Sequence, residues 1–118
     1  MGQIYQDKGD YPNALKYAKK ALAIMEILYK DNPNHPNLAT SYNNMGLIYK
    51  AKGDYPNALK YAKKALAILE ILFKKENPKH PYLIASYGHI ALIYRDINNS
   101  EMFERYKLKY LEGSKGSE

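Results

Sequence analysis

The 118-residue chain has no cysteine, no tryptophan and only two phenylalanines. Without cysteine there is no disulfide staple, no thiolate zinc site and no cysteine nucleophile, although the redox compartment stays open. Long apolar runs are also missing. Stretches such as Ala21 to Met25 stop at Glu26 or at a lysine, far short of the about 20 residues that a bilayer span requires, so no membrane partner is expected. The first residues, Met1-Gly2-Gln3-Ile4-Tyr5-Gln6-Asp7, lack the basic-then-apolar order of a secretory signal, which makes a cytoplasmic location the default. No Gly-rich phosphate loop, nucleophile elbow or pair of carboxylates with a matching base is present, and the expectation is a non-enzymatic chain with no cofactor. Acidic residues are scarce relative to basic ones, 12 against 18, giving a formal charge of +6.

What the chain has instead is repetition, which governs every later inference. Gly9 to Ile24 recurs letter for letter as Gly53 to Ile68, 44 positions later, and the copy continues through Glu26-Ile27-Leu28 and Glu70-Ile71-Leu72. One inserted residue then sets Asn32-Pro33-Asn34-His35-Pro36 against Asn77-Pro78-Lys79-His80-Pro81, now 45 apart. A loop tolerates that easily. A looser third copy follows, in which Ser86-Tyr87 echoes Ser41-Tyr42 and Leu92-Ile93-Tyr94 echoes Leu47-Ile48-Tyr49; after Arg95 the likeness fades.

Each unit reads as two helices. Leu38, Tyr42, Met45 and Tyr49, and again Leu83, Tyr87, Ile90 and Tyr94, are spaced i, i+4, i+7, i+11, one apolar stripe on an A helix. Each stripe begins just after a proline (Pro36, Pro81), whose missing N–H costs nothing in a first helical turn. Gly9 and Gly53 suit the left-handed position that ends a helix. Asp10 and Asp54 suit the cap of the next, with Pro12 or Pro56 inside its first turn. So short a turn makes an antiparallel hairpin. The B helices are expected over about Tyr11 to Lys30 and Tyr55 to Lys75, with an apolar face covering half the circumference and lysines such as Lys16, Lys19, Lys20 and Lys30 on the other side.

These residues resemble the tetratricopeptide repeat (TPR). Tyr42 matches its aromatic, Met45-Gly46 its Leu-Gly pair and Tyr49 its tyrosine. Gly53 and Tyr55 match the turn, and Ala58 and Ala65-Leu66 helix B. The first unit matches from Met1-Gly2 and Tyr5 through Ala21-Leu22; the third keeps Tyr87, Ala91 in place of glycine, and Tyr94. Glu26 and Glu70 replace the usual closing proline, and Ala18 and Ala62 stand where an aromatic is usual. The longer period, Asn43-Asn44 and the His-Pro pairs make the repeat similar to the kinesin-light-chain type. The resemblance implies an all-α fold, an α-solenoid of antiparallel helical hairpins comprising about two and a half TPR-like repeats plus a C-terminal capping helix. Residues 1–112 form the repeat domain, in units of about 1–36, 37–81 and 82–112, and residues 113–118 a flexible tail.

The resemblance further implies a protein-interaction scaffold in which a peptide or partner helix lies in a concave groove lined by A helices. The register puts Gln3, Gln6, Asp7, Thr40, Asn43, Leu47, Lys50, Gly88, Leu92 and Arg95 in that groove, with Asn44 beside them. Asn43 and Asn44 are expected to bond the partner's backbone, while Lys50 and Arg95 favour an acidic partner. Only Asn44 falls on the pattern by which some relatives clamp a C-terminal carboxylate; Ala85 and His89 replace its Lys and Arg, so a clamp of that kind is not expected.

Histidine is a common zinc ligand, but His35 and His80 belong to equivalent loops and His89 has no i+4 partner. They read as loop and surface residues, and no metal is expected. The 13 tyrosines fall mostly on apolar stripes or at turns and read as core. A basic helical-repeat module that binds nucleic acid is the alternative; it requires aromatics interleaved with cations on one exposed surface. The charge runs about +1 over Met1 to Asn44, about +5 over Met45 to His89 and about zero thereafter, and its excess, on Lys60, Lys63, Lys64, Lys74, Lys75 and Lys79, reads most simply as a solvated face.

The ends carry two more expectations. Asn98-Asn99-Ser100 reads as a turn, and Glu101 to Leu111 as a last, charged helix of the kind that keeps a solenoid soluble. Met1 aligns with Met45, so part of the first A helix is absent, and Leu15, Leu22, Met25 and Tyr29 of the first B helix are expected to be partly bare. Ile27 and Ile71 interrupt the lysine-rich arc, a second hint of contact. A homodimer, by end-to-end stacking or hairpin exchange, and a fragment of a longer array both fit.

Overall fold

The computed structural model describes residues 10–115 as five α-helices: α1 Tyr11–Leu28, α2 Pro36–Lys52, α3 Tyr55–Phe73, α4 Pro81–Ile97 and α5 Ser100–Lys115. Each packs on the next, α1 on α2, α2 on α3, α3 on α4 and α4 on α5. The described residues thus form a single helix followed by two antiparallel hairpins, α2–α3 and α4–α5. None of these helices is long and apolar enough to cross a membrane.

The caps explain the boundaries. Asp10 and Asp54 accept the N–H of Asn13 and Asn57, at 3.3 and 3.4 Å, and their second carboxylate oxygens accept the side-chain amides of the same asparagines. Gly53 closes α2 at φ 88°, where a side chain would be strained. Asn98 does the same for α4 at φ 68°. α1 and α3 stop at Leu28 and Phe73, two residues before Lys30 and Lys75. Asn32-Pro33 and Asn77-Pro78 lie just beyond, and a proline disfavours helical backbone in the residue before it.

The A-helix starts are capped by histidine. The Nδ1 atoms of His35 and His80 accept the N–H groups of Asn37 and Tyr82, at 3.0 and 3.1 Å. Each imidazole also stacks on an aromatic ring, Tyr29 at 3.9 Å and Phe73 at 3.8 Å between centroids. The two loop histidines are therefore structural. Among the described residues no group of three His, Asp or Glu side chains is arranged to hold a metal ion.

The core follows the stripes. Leu38, Met45, Ile48 and Tyr49 of α2 and Leu83, Tyr87, Ile90, Ile93 and Tyr94 of α4 are buried against Ala58, Ala62, Ala65, Leu66 and Leu69 of α3. Gly46 lets α2 approach the backbone of α3: a Cβ there would lie 3.2 Å from the Ala58 carbonyl oxygen. Tyrosines repeat with the fold. Tyr42 and Tyr49 both stack on Tyr61, with centroids 6.1 and 5.7 Å apart, and 45 residues later Tyr87 and Tyr94 lie against Tyr106 at 6.4 and 5.8 Å. Tyr106 is thus the counterpart of Tyr61, and α5, the capping helix, also stands as the B helix of the third unit. The likeness continues past Arg95. Asn99 caps α5 by accepting the Met102 N–H at 3.1 Å, and the helix extends four residues beyond Leu111, taking in Gly113, whose bare α-carbon leaves room for Ile84.

Successive units are tied by the glutamates at the closing position. The Tyr42 hydroxyl donates to Glu26 at 3.1 Å and the Tyr87 hydroxyl to Glu70 at 3.2 Å, each joining a B helix to the following A helix.

Candidate groove between the A helices

Thr40, Asn43, Asn44 and Leu47 follow i, i+3, i+4, i+7 spacing and so share one side of α2. They border a hollow of about 240 Å³ whose opposite wall is Tyr82, Ala85 and His89 of α4. Gly88 and Leu92 border a second hollow, of about 430 Å³, between α4 and α5, with Phe103, Lys107 and Tyr110 on the α5 side. Ala85 and His89 border both, so the two hollows lie on either side of these residues of α4. Gln3, Gln6 and Asp7 lie outside the described residues.

The second hollow has a source in the sequence. Phe103, Lys107 and Tyr110 stand 45 residues after Ala58, Ala62 and Ala65, the small residues that let α3 close on α2. Larger side chains at these places leave a gap where alanines pack flat. Gly88 admits the Tyr110 ring, to which a Cβ would come within 3.0 Å. The sequence reading confined the groove to A helices and missed these three residues; the 45-residue match of Tyr106 to Tyr61 is the signal that finds them.

Lys50 and Arg95 converge on one carboxylate, Asp96, at 3.5 and 3.4 Å. Two cations share one anion, leaving a net positive charge. Lys107, beside the second hollow, pairs with Glu104 at 3.6 Å. His89 is half-buried rather than on the surface, and its Nδ1 is buried with no hydrogen-bond partner. Burial, and then the charge of Lys50, hold its pKa below the usual histidine value. One turn earlier, Ser86 is 1% exposed and its hydroxyl also lacks a partner.

The tyrosines and lysines are less separate than their positions in sequence suggest. Lys64 lies over the rings of Tyr42 and Tyr61, Lys63 over Tyr94 and Lys109 over Tyr87. Tyr42 and Tyr61 also stack on each other, Tyr94 stacks on Tyr106 and Tyr87 lies tilted against it, so these rings already have neighbours, whereas a base-stacking platform needs faces left open.

The bare face of α1 differs from expectation. Leu15 and Leu22 are buried and Met25 and Tyr29 half-buried, while Ala21, Ile24 and Leu28 are exposed. Their counterparts Ala65 and Ile68 are buried in α3, which packs between α2 and α4. Ile27 and Ile71, both expected at a contact, are exposed at 77% and 65%.

The fold is that of known repeat structures. A Podosopora anserina protein with nearly identical TPR-like repeats, described as a kinesin light chain, superposes with a TM-score of 0.85 at 18% identity over 99% of this chain and 53% of its own. BtubC (BKLC) from P. vanneervenii gives a TM-score of 0.78 at 22% identity over 99% of this chain and 46% of its own. The chain therefore spans about half the length of these structures. No curated protein matches the sequence. The sequence pattern that defines the tetratricopeptide repeat matches residues 1–71, and with the duplicated hairpins and their capping pattern this makes the chain a member of the tetratricopeptide repeat family.

Proposed function

We propose that this chain is a non-enzymatic scaffold that binds a peptide or partner helix of another protein along the α2–α4–α5 groove. Tetratricopeptide repeats are generally protein–protein interaction modules. The observation that carries the reading is that two hollows adjoin through the shared lining residues Ala85 and His89, which suits an extended ligand crossing α4. In this reading Asn43 and Asn44 bond the ligand's backbone, Leu47 and Leu92 supply apolar contact, and the net positive charge shared by Lys50, Arg95 and Asp96 favours an acidic ligand.

The test compares two variants in affinity capture from the source cell. Leu92→Glu alters the groove, and Ile71→Ser alters an exposed residue away from both hollows. A partner lost with the first and kept with the second supports the groove; the reverse pattern sinks it. The nucleic-acid alternative requires tight binding of labelled oligonucleotides that falls steeply between two salt concentrations, and that result would replace the protein-binding reading.

A further inference from the structure

His89 is the one histidine bordering the groove, and neither the helix caps nor the core uses it. Its ring forms part of both hollows, so a ligand running from Asn43 to Tyr110 passes over it. The charged and titratable groups around it come from three helices. Lys50 comes from α2 and acts on His89 through its charge rather than by lining a hollow; Arg95 and Asp96 lie about two turns further along α4; Lys107, with its partner Glu104, and Tyr110 come from α5. From α3 the same groove receives Leu69, which carries no charge. Cations outnumber anions in this set even with His89 neutral. The Ser86 hydroxyl one turn back and the His89 Nδ1 are both buried without a hydrogen-bond partner, so neither bonds to the other.

We propose that His89 is a proton-linked specificity residue of the groove, taking up one proton from solvent when an acidic ligand binds. The proposal rests on the groove reading above. In the free protein Lys50 opposes a second positive charge on the imidazole. A ligand carboxylate laid between Lys50 and His89 removes that opposition, and the imidazolium then adds a cation to the site. Acidic ligands consequently bind more tightly as the pH falls through the histidine range, and a neutral ligand of the same length gains nothing.

The probe is fluorescein-labelled hexa-aspartate, with hexa-asparagine as control, measured at pH 7.5 and 5.5 at constant ionic strength. Aspartate stays ionised at both. One linked proton changes affinity by at most about tenfold per pH unit, and the expected gain across the two units is about fivefold or more. His89→Gln is expected to lose this gain, and His35→Gln and His80→Gln to keep it. Hexa-aspartate binding with an unchanged pH dependence in His89→Gln overturns the role of His89 and leaves the acidic groove standing. Absence of hexa-aspartate binding at either pH overturns the acidic groove itself, and the proton linkage with it. An independent readout needs no variant to fold differently: in wild-type protein observed by NMR, saturating hexa-aspartate is expected to raise the titration midpoint of a single histidine. A midpoint that does not move overturns the proposal.

Discussion

Tyr87 illustrates what one side chain contributes between repeats. Its ring is buried and its hydroxyl donates to Glu70, and burial first, then the Glu70 charge and hydrogen bond, push the phenol up to about 12 from its ordinary 10. A raised tyrosine pKa means that the neutral form is favoured on folding. That contribution is therefore complete below pH 10 and is lost as the pH rises through about 12. Tyr87→Phe is expected to cost about 1 kcal/mol in urea unfolding at neutral pH, the usual net worth of a buried hydrogen bond. It should also remove from the alkaline absorbance titration a tyrosinate with a midpoint near 12; a spectrum unchanged above pH 11 would refute the assignment. The burial of Tyr87 was legible from its place on the apolar stripe. Its partner was not, because Glu70 lies 17 residues away on a helix of the preceding unit, a contact that only the packing of α3 on α4 creates. His89 escaped for a similar reason: helical spacing says what lies near it on α4 but nothing of Lys50 on α2.

At the level of the helix, ends were more legible than linings. Asp10, Asp54, Pro36, Pro81 and Gly53 each have a local physical reason to sit at a terminus, and each does so. Imidazole as the cap acceptor was not foreseen, since the preference for Asp, Asn, Ser and Thr gives histidine no special weight. The stack of His80 on Phe73 accounts for the choice, because one side chain both satisfies the Tyr82 N–H and covers the end of α3. His80→Ala is therefore expected to lower stability by about 1 kcal/mol, and His80→Asp by less, because it restores the cap but not the stack. Equal losses in chemical denaturation for the two variants would show that the stack, and not the cap, carries the contribution. The α5 side of the groove was hidden by a different obstacle. Phe103, Lys107 and Tyr110 differ so much from Ala58, Ala62 and Ala65 that α5 is matched to α3 chiefly through Tyr106.

For the molecule as a whole, the open question is what meets its exposed apolar residues. Two sets exist. Ile24 and Leu28 are 62% and 64% exposed on α1, whereas their counterparts Ile68 and Leu72 in α3 are buried and half-buried, and Ile27 and Ile71 are exposed in both units. On α3, helical spacing puts Ile71 in one stripe with the exposed Lys60, Lys64, Lys74 and Lys75, and on α1 it puts Ile27 in one stripe with Lys16, Lys20 and Lys30. Two copies meeting through the isoleucines would bring like charges together. If this face self-associates, the hydrophobic contact must outweigh a repulsion that salt screens over about 10 Å at 0.1 M. We accordingly predict a dimer whose population rises with ionic strength, read as mass by light scattering after size exclusion, and an Ile27→Lys, Ile71→Lys double variant that stays monomeric at every salt concentration. Association that persists unchanged in the double variant would transfer the contact to Ile24 and Leu28. That face is less crowded by lysine and would respond little to salt, so the salt dependence of the mass separates the two surfaces even before a second variant is made. A wild-type protein that remains a strict monomer at high concentration and high salt removes self-association by either face.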